Sequence, residues 1–396
     1  MSWTPFGGED YWDFEQVAAW CQALAEAHPG WVRIEEIGRS RHDRPLLLLT
    51  FGRQDGMTEE RPAFWLDAGT HAVEWTGVMS ALYTMSRWVE GIKDGAMADW
   101  FSRHTAYVMP CVSPDGFQAM HDGLPFLRST LRPPRPGTVR SGLSPEDIDG
   151  DGEIRWMRWR HPAGPWIPDA ECPIMMRPRT VDDDPAEAFF VCSEGTFIEW
   201  DGVRWVEASR QFGLDLNRNF PVDWKPFSMF GMDSGDFPGS EPESQAILRA
   251  FSERSNIASA VTNHTYTGCL LAPPASADSP LPDGDIAMMN RLANDVVEGT
   301  DYKVYKVYPE FMYDPKKPII GTWDDTMSCT FGVAGYTLEL WDPYRWAGLT
   351  DVVPVDMFRD PDMSVIRTIL QKCVAEGLYR PWTAFEHPQL LSLIHI

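Results

Sequence analysis

The feature that most constrains this chain is a short apolar run, Ala63-Phe64-Trp65-Leu66-Asp67-Ala68, leading directly into Gly69-Thr70-His71-Ala72-Val73-Glu74-Trp75. A run of that length and composition predicts a buried strand. Residues 76–89 then carry apolar side chains at helical spacing, so His71 belongs to a strand-to-helix turn and Glu74 stands one helical turn further on. At that separation an imidazole and a carboxylate can converge on one point. Two such donors on a rigid turn begin a catalytic zinc site, which takes three protein ligands and keeps a fourth position open. Of the nine histidines only His71 is followed three residues later by Glu. The pair also reads as ordinary polar residues at a helix start, so the rest of the chain has to decide.

The chain has 396 residues and is 43% apolar, enough to bury a sizeable core. A net charge of −24 argues against nucleic acid as a partner, because phosphate binding needs a basic surface. No run of about 18 apolar residues predicts a membrane span. The seven cysteines are scattered, odd in number and without Cys-x-x-Cys spacing, so they read as reduced thiols. The first residues lack a basic segment followed by an apolar one, and the expected location is cytoplasmic.

Along the chain, 13–27 has a helical pattern that stops at Pro29-Gly30, and 32–37 and 46–51 are strand-like. Residues 105–111 form another apolar strand, with Ser113-Pro114-Asp115-Gly116 read as a turn. Helices are expected over 243–252, 285–298 and 364–376, and strands over 257–263, 302–308 and 333–340. Strands alternating with helices predict an α/β fold: a mixed, mostly parallel twisted sheet with helices on both faces. Residues 121–212 break the rhythm with Pro, Gly, Asp and Trp. They read as a long rim insertion in a single catalytic domain over 1–390, without a core of their own. Within them, Asp147, Asp149 and Asp151 look like the first half of a calcium loop, but Arg158 occupies the twelfth position, where an EF-hand has Glu. An acidic turn leading into a strand is the simpler reading, and calcium is left open.

Three further sites carry chemistry. His264, in Asn263-His264-Thr265-Tyr266, ends a predicted core strand and is the best third metal ligand, though a lone His there is commonly structural. Glu339, in Thr337-Leu338-Glu339-Leu340-Trp341, is a carboxylate in an apolar strand, expensive unless used or paired. Beside a metal it suits general acid–base work; the alternative is an outward-facing residue on an alternating strand. Asp215-Leu216-Asn217-Arg218-Asn219 sets a guanidinium between two amides, a fork that matches a carboxylate, or else forms a loop salt bridge.

Together, His71-x-x-Glu74-Trp75, Asn217-Arg218-Asn219, His264-Thr265-Tyr266 and Thr337-Leu338-Glu339-Leu340-Trp341 resemble the zinc metallocarboxypeptidases of the carboxypeptidase A type. Val112-Ser113-Pro114-Asp115-Gly116 is similar to a further family segment, with Ser113 where Asn is usual, and the likeness covers roughly residues 10–390. The bacterial branch with an Asp-Gly-Asp-Gly insertion before a Met-Arg pair is the nearest match, here 149–152 and Met157-Arg158. The resemblance implies one zinc ion held by His71, Glu74 and His264, with Glu339 as general base and then acid. It implies that Asn217 and Arg218 hold a terminal carboxylate and that Arg158 stabilises the oxyanion. Tyr313 would cap the substrate, with Tyr308 the second choice. Asp324, in the loop 321–325, falls where an acidic residue goes with cleavage after Lys or Arg; Asp325 is the more widely shared neighbour. Loop capping, or pairing of both with Lys316 or Lys317, is the competing view, and Trp323 filling the pocket would favour small residues.

Val73 stands where the family often has Arg, which puts contact with the rest of a peptide in doubt. The expected function is zinc-dependent removal of a C-terminal amino acid from a peptide substrate with a free carboxylate. The alternatives are a zinc amidohydrolase acting on amino-acid conjugates or cell-wall peptides, and an inactive peptide-binding relative. Residues 391–396 read as a translated sequencing adaptor and are set aside as a non-native tail. Family members continue past His387-Pro388-Gln389-Leu390 into a small β-domain, so the chain is expected to be cut there.

Overall fold

The computed structural model describes residues 3–390 apart from 125, 135, 200–205, 209–211, 227, 230–231, 315 and 318. The expected tail at 391–396 lies outside the described residues. The chain divides into two compact units, one of residues 1–133 and 212–341, the other of residues 134–211 and 342–396.

The first unit is built on an eight-stranded sheet. Its strands are β1 (Val32–Arg39), β2 (Pro45–Phe51), β3 (Ala63–Ala68), β4 (Thr105–Met109), β5 (Ile257–Thr265), β6 (Cys269–Ala272), β7 (Lys303–Lys306) and β8 (Ala334–Leu340). The spatial order is β1-β2-β4-β3-β5-β8-β6-β7. Four of the seven neighbour pairs are parallel: β3 with β4, β3 with β5, β5 with β8, and β6 with β7. The helices are α1 (Phe14–Ala27), α2 (Trp75–Lys93), α3 (Ala98–Arg103), α4 (Pro114–His121), α5 (Pro242–Glu253), α6 (Asp283–Val297), α7 (Val307–Glu310) and α8 (Trp323–Phe331). This is the mixed, mostly parallel sheet that the alternating pattern predicts.

Strand periodicity explains why helices cover both faces. Leu66 and Ala68 of β3 pack with Val17, Leu24, Val78 and Leu82 of α1 and α2. Ala63 and Trp65, alternating with them, pack with Ile247 and Phe251 of α5 and Met327 of α8. α1 starts where the sequence suggested, because Asp13 and Gln16 form a reciprocal capping box.

Two local expectations are corrected. Ser113–Gly116 is not a free turn but opens α4, with Pro114 in its first turn, where a missing N–H costs nothing. Residues 323–325 are not loop but the first turn of α8, because the Thr322 side chain accepts a hydrogen bond from Asp325 N. α4 also meets the β3–α2 turn closely: a Cβ at Gly116 would collide with the Ser129 carbonyl oxygen and lie 2.9 Å from Ala72 Cβ.

Residues 134–211, expected as a rim insertion, fall with 342–396 in the second unit. The second unit contains a four-stranded sheet and a two-stranded one within 134–211. It has its own cluster of Leu143, Met157, Cys192, Phe197 and Leu390. It also takes in the closing helix Met363–Ala375, whose Arg367 grips buried Asp169 with two hydrogen bonds, the shorter 2.7 Å. That core combines residues of the insertion with Leu390 from the end of the chain. The acidic stretch at 147–151 is a turn before the strand Trp156–Arg160, pinned by buried Glu194, which accepts from Ile148 N, Asp149 N and Arg155 N.

Candidate metal centre

His71 and Glu74 sit between β3 and α2, and His264 is the penultimate residue of β5. All three are buried, and one donor atom from each lies within 4.8 Å of the others. His71 Nδ1 is 2.8 Å from Glu74 Oε1 and 3.0 Å from His264 Nδ1; His264 Nδ1 is 3.1 Å from Glu74 Oε2. On its other side His71 Nε2 lies 3.1 Å from Asp215 Oδ1. With Nε2–H donated to Asp215, the Nδ1 lone pair is left for the cluster, an arrangement typical of metal-ligating imidazoles.

Burial pushes the Glu74 carboxyl up, but attraction to His71 and His264 outweighs it and holds the group well below its usual range. Burial, opposed by Glu74, lowers His264, keeping its imidazole neutral. Two buried ring nitrogens at 3.0 Å share at most one proton, and His264 Nε2 has no partner at all. Two imidazole nitrogens and a carboxylate fit zinc.

β5 and β8 are parallel neighbours, and His264 pairs in register with Glu339. Glu339 is 9% exposed, so the apolar strand does bury its carboxylate. Burial first, then the nearby Glu74 charge, drive its pKa well above the ordinary value. Arg128 opposes that shift. Its Nη1 donates to Glu74 Oε1 at 3.0 Å and its Nε to Asp215 Oδ2 at 3.3 Å. Burial works against the Asp215 charge, but Arg128, Arg218 and His71 keep it well below the ordinary range.

Asn217 and Arg218 occupy a buried 3-10 turn capped by the Asp215 side chain. Asn217 Oδ1 accepts from Trp323 N at 2.8 Å, tying this turn to the start of α8. Arg218 Nη1 donates to the Asn217 carbonyl at 2.5 Å. Burial first, then Glu339, push the Tyr313 hydroxyl up to about 12, while Arg128 and Arg218 act on it in the opposite sense.

One pleat before the His264–Glu339 row, on the same face, Asp67, Thr262 and Thr337 are register partners across β3, β5 and β8. Thr337 Oγ1 donates to Asp324 Oδ2 at 3.2 Å, and Asp325 N donates to Asp324 Oδ1 at 2.9 Å. Asp325 accepts from Ala275 N at 3.0 Å. Neither carboxylate pairs with Lys316 or Lys317 among the described residues; Lys317 lies 3.8 Å from Asp314 instead. Trp323 is fully buried in the cluster of α5 and α8, on the sheet face that also carries Asp67.

Arg158 is a different case. It belongs to the second unit, where its guanidinium lies 4.2 Å from the Trp382 ring centroid and 5.0 Å from that of Phe189. The guanidinium that touches the metal cluster is that of Arg128, which the sequence reading passed over. Its signal was faint: an arginine in Leu127-Arg128-Ser129, just after α4, with no motif around it. In sequence Asp215 reads only as a flank of Asn217, and its pairing with His71 spans 144 residues of sequence.

The zinc carboxypeptidase family model matches residues 17–152 and 190–372. Carboxypeptidase B of Astacus astacus is 30% identical over 117 residues, covering 30% of this chain and 35% of that protein. Carboxypeptidase A6 of Mus musculus is 33% identical over 132 residues, 33% of this chain and 29% of that protein. The chain thus spans about a third of the length of the curated relatives it matches. Among solved structures, carboxypeptidase A from Helicoverpa armigera superposes with a TM-score of 0.55 at 17% identity, covering 95% of this chain and 77% of that one. Bovine thrombin-activatable fibrinolysis inhibitor, in complex with tick carboxypeptidase inhibitor, gives 0.53 at 16% identity, covering 93% and 99%. At those identities the structural likeness speaks for the fold. No helix among the described residues is long and apolar enough to cross a membrane.

Proposed function

This chain belongs to the zinc carboxypeptidase family, and on that premise we propose that it is a zinc-dependent exopeptidase that removes the C-terminal amino acid of peptides. The observation that carries the reading is the convergence of His71, Glu74 and His264 with Glu339 paired beside His264. When bound, the zinc supplies Lewis acidity at the scissile carbonyl. Glu339 takes a proton from the attacking water on its carboxylate and delivers it to the leaving amine nitrogen. Arg128, already donating to Glu74 and Asp215, offers N–H groups to the negative oxygen that develops on the carbonyl. That oxyanion role was expected of Arg158; contact with the metal cluster favours Arg128. Arg218, with the Asn217 side chain, receives the substrate's terminal carboxylate. Tyr313 remains protonated through the neutral range and serves as a donor over the substrate.

A preference for basic C-terminal residues is part of the proposal. It is supported by a buried Asp324 carboxylate held by Thr337 and by Asp325 N, one pleat from Glu339 on the strand that carries it. Seven free thiols support the expected cytoplasmic location.

The test is to assay the zinc-loaded protein against N-blocked dipeptides ending in Arg, Phe or Ala, each as free acid and amide. Cleavage of free acids with Arg preferred supports the whole reading. Phe preferred over Arg removes Asp324 as the selector. Turnover confined to N-acyl amino acids or cell-wall peptides moves the chain to the amidohydrolases, and binding without turnover makes it a peptide-binding relative.

A further inference from the structure

Among the buried carboxylic acids of this unit that take no part in the chemistry, Glu243 stands out because both its oxygens lack a partner. Glu243 lies in the first turn of α5, has no exposed surface, and neither Oε1 nor Oε2 has a hydrogen-bond partner. The next residue, Ser244, is equally buried and its hydroxyl is also unpartnered. An ionised carboxylate does not survive burial without a partner; such a group keeps its proton instead.

The charged groups around it come from four segments. From the start of α5 comes Glu241, whose carboxylate accepts from Arg41 Nη2 at 2.8 Å and from Ser240 Oγ at 2.8 Å. From α4 comes Asp115, which accepts from Ser40 Oγ at 2.7 Å, His42 N at 2.9 Å and Arg44 Nη1 at 3.3 Å. The β1–β2 turn supplies those two arginines, Arg41 and Arg44. Arg132 reaches Glu241 at 3.5 Å but is shared with Asp233 and Asp236. Cys111, also buried, feels the charge of both Asp115 and Glu243. The local arginines are therefore already committed to other carboxylates, and the charges of Glu241 and Asp115 act on Glu243 more strongly than that of Arg41.

This cluster backs onto the metal turn. Two residues before Asp115, Ser113 Oγ donates to the Thr70 carbonyl at 2.9 Å and Ser113 N to the Gly69 carbonyl at 2.9 Å, so α4 braces the residues leading into His71.

We propose that Glu243 is a pH-sensitive latch: protonated, it lets α5 close against α4 and the β1–β2 turn behind the metal turn, and ionised, it loosens that packing by repulsion from Glu241 and Asp115. Burial, reinforced by Glu241 and Asp115 and opposed by the adjacent Glu243 N–H and by Arg41, pushes its pKa up to about 8 from an ordinary 4.5. A carboxyl that holds its proton more tightly when folded stabilises the fold fully below the unfolded value, and that stability drains away as pH climbs to the folded value. The susceptible window is thus from about pH 4.5 to about pH 8, flat above it.

The test is the thermal midpoint of the zinc-loaded protein between pH 5 and pH 9, for the native chain and Glu243→Gln. Gln mimics the neutral acid, and the metal ligands contribute equally to both proteins. The midpoint of Glu243→Gln should gain on that of the native chain by about 5 °C from pH 5 to pH 8, then hold that lead. Parallel curves would overturn the latch. Glu241→Gln gives an independent reading: with one repelling charge removed, the alkaline loss of midpoint should shrink and finish at lower pH. An unchanged profile in that variant also rejects the proposal.

Discussion

His264 and Glu339 are register partners on adjacent parallel strands. Parallel neighbours in register project their side chains to the same side of the sheet, one strand spacing of about 4.8 Å apart. A proposed metal ligand and the proposed general base are therefore locked together by backbone hydrogen bonds rather than by any contact between their side chains. Rigid β-structure under a catalytic pair limits how far either group can drift from the other.

That rigidity makes the metal ligands separable from the base. Replacing His264 by Ala should abolish stoichiometric zinc in the purified protein, because two donors on one turn do not close a site that needs three. Metal analysis after dialysis against a weak chelator checks this. Retention of one zinc per chain would remove His264 from the ligand set.

Glu339→Gln should keep its zinc and lose turnover by roughly 10²–10⁴-fold, the usual contribution of a positioned acid–base group. The substitution preserves shape and removes the proton-accepting charge from a strand that buries it. Measuring kcat and metal content on the same sample distinguishes loss of chemistry from loss of metal; near-normal kcat would reject the role.

Arg128 and Arg158 compete for the oxyanion. Arg128→Ala should lower kcat by about 10²–10³-fold, as expected when one donor to a developing negative charge is lost. Arg158, whose guanidinium rests on Trp382 and Phe189, should when changed to Ala alter stability more than kcat. The reverse ranking of kcat in the two variants would return the role to Arg158.

Arg218→Ala should cost roughly 10–100-fold in kcat/KM for substrates with a free terminal carboxylate, the worth of a charge-assisted hydrogen bond, and little for their amides. Equal losses on acids and amides would mean that Arg218 serves the fold through its hydrogen bond to the Asn217 carbonyl.

Local sequence determined more of this protein than its 396 residues suggest. His71 and Glu74 were legible because a three-residue separation on a strand-to-helix turn lets two side chains converge. Glu339 was legible because a carboxylate in an apolar strand demands an explanation, and His264 because it ends a core strand. What only the tertiary structure decided are pairings between segments far apart in the chain. Asp215 fixes the His71 tautomer across 144 residues, and Arg128 reaches Glu74 across 54. Arg158 reads better than Arg128 in sequence, yet a guanidinium on a long flexible stem carries no local mark of where it ends up. The same holds for the second unit: 134–211 lacks helical periodicity, and its core includes Leu390 from the far end of the chain. Periodicity and turn chemistry are written residue by residue, whereas partners brought together by chain reversal are chosen by the packing of the whole.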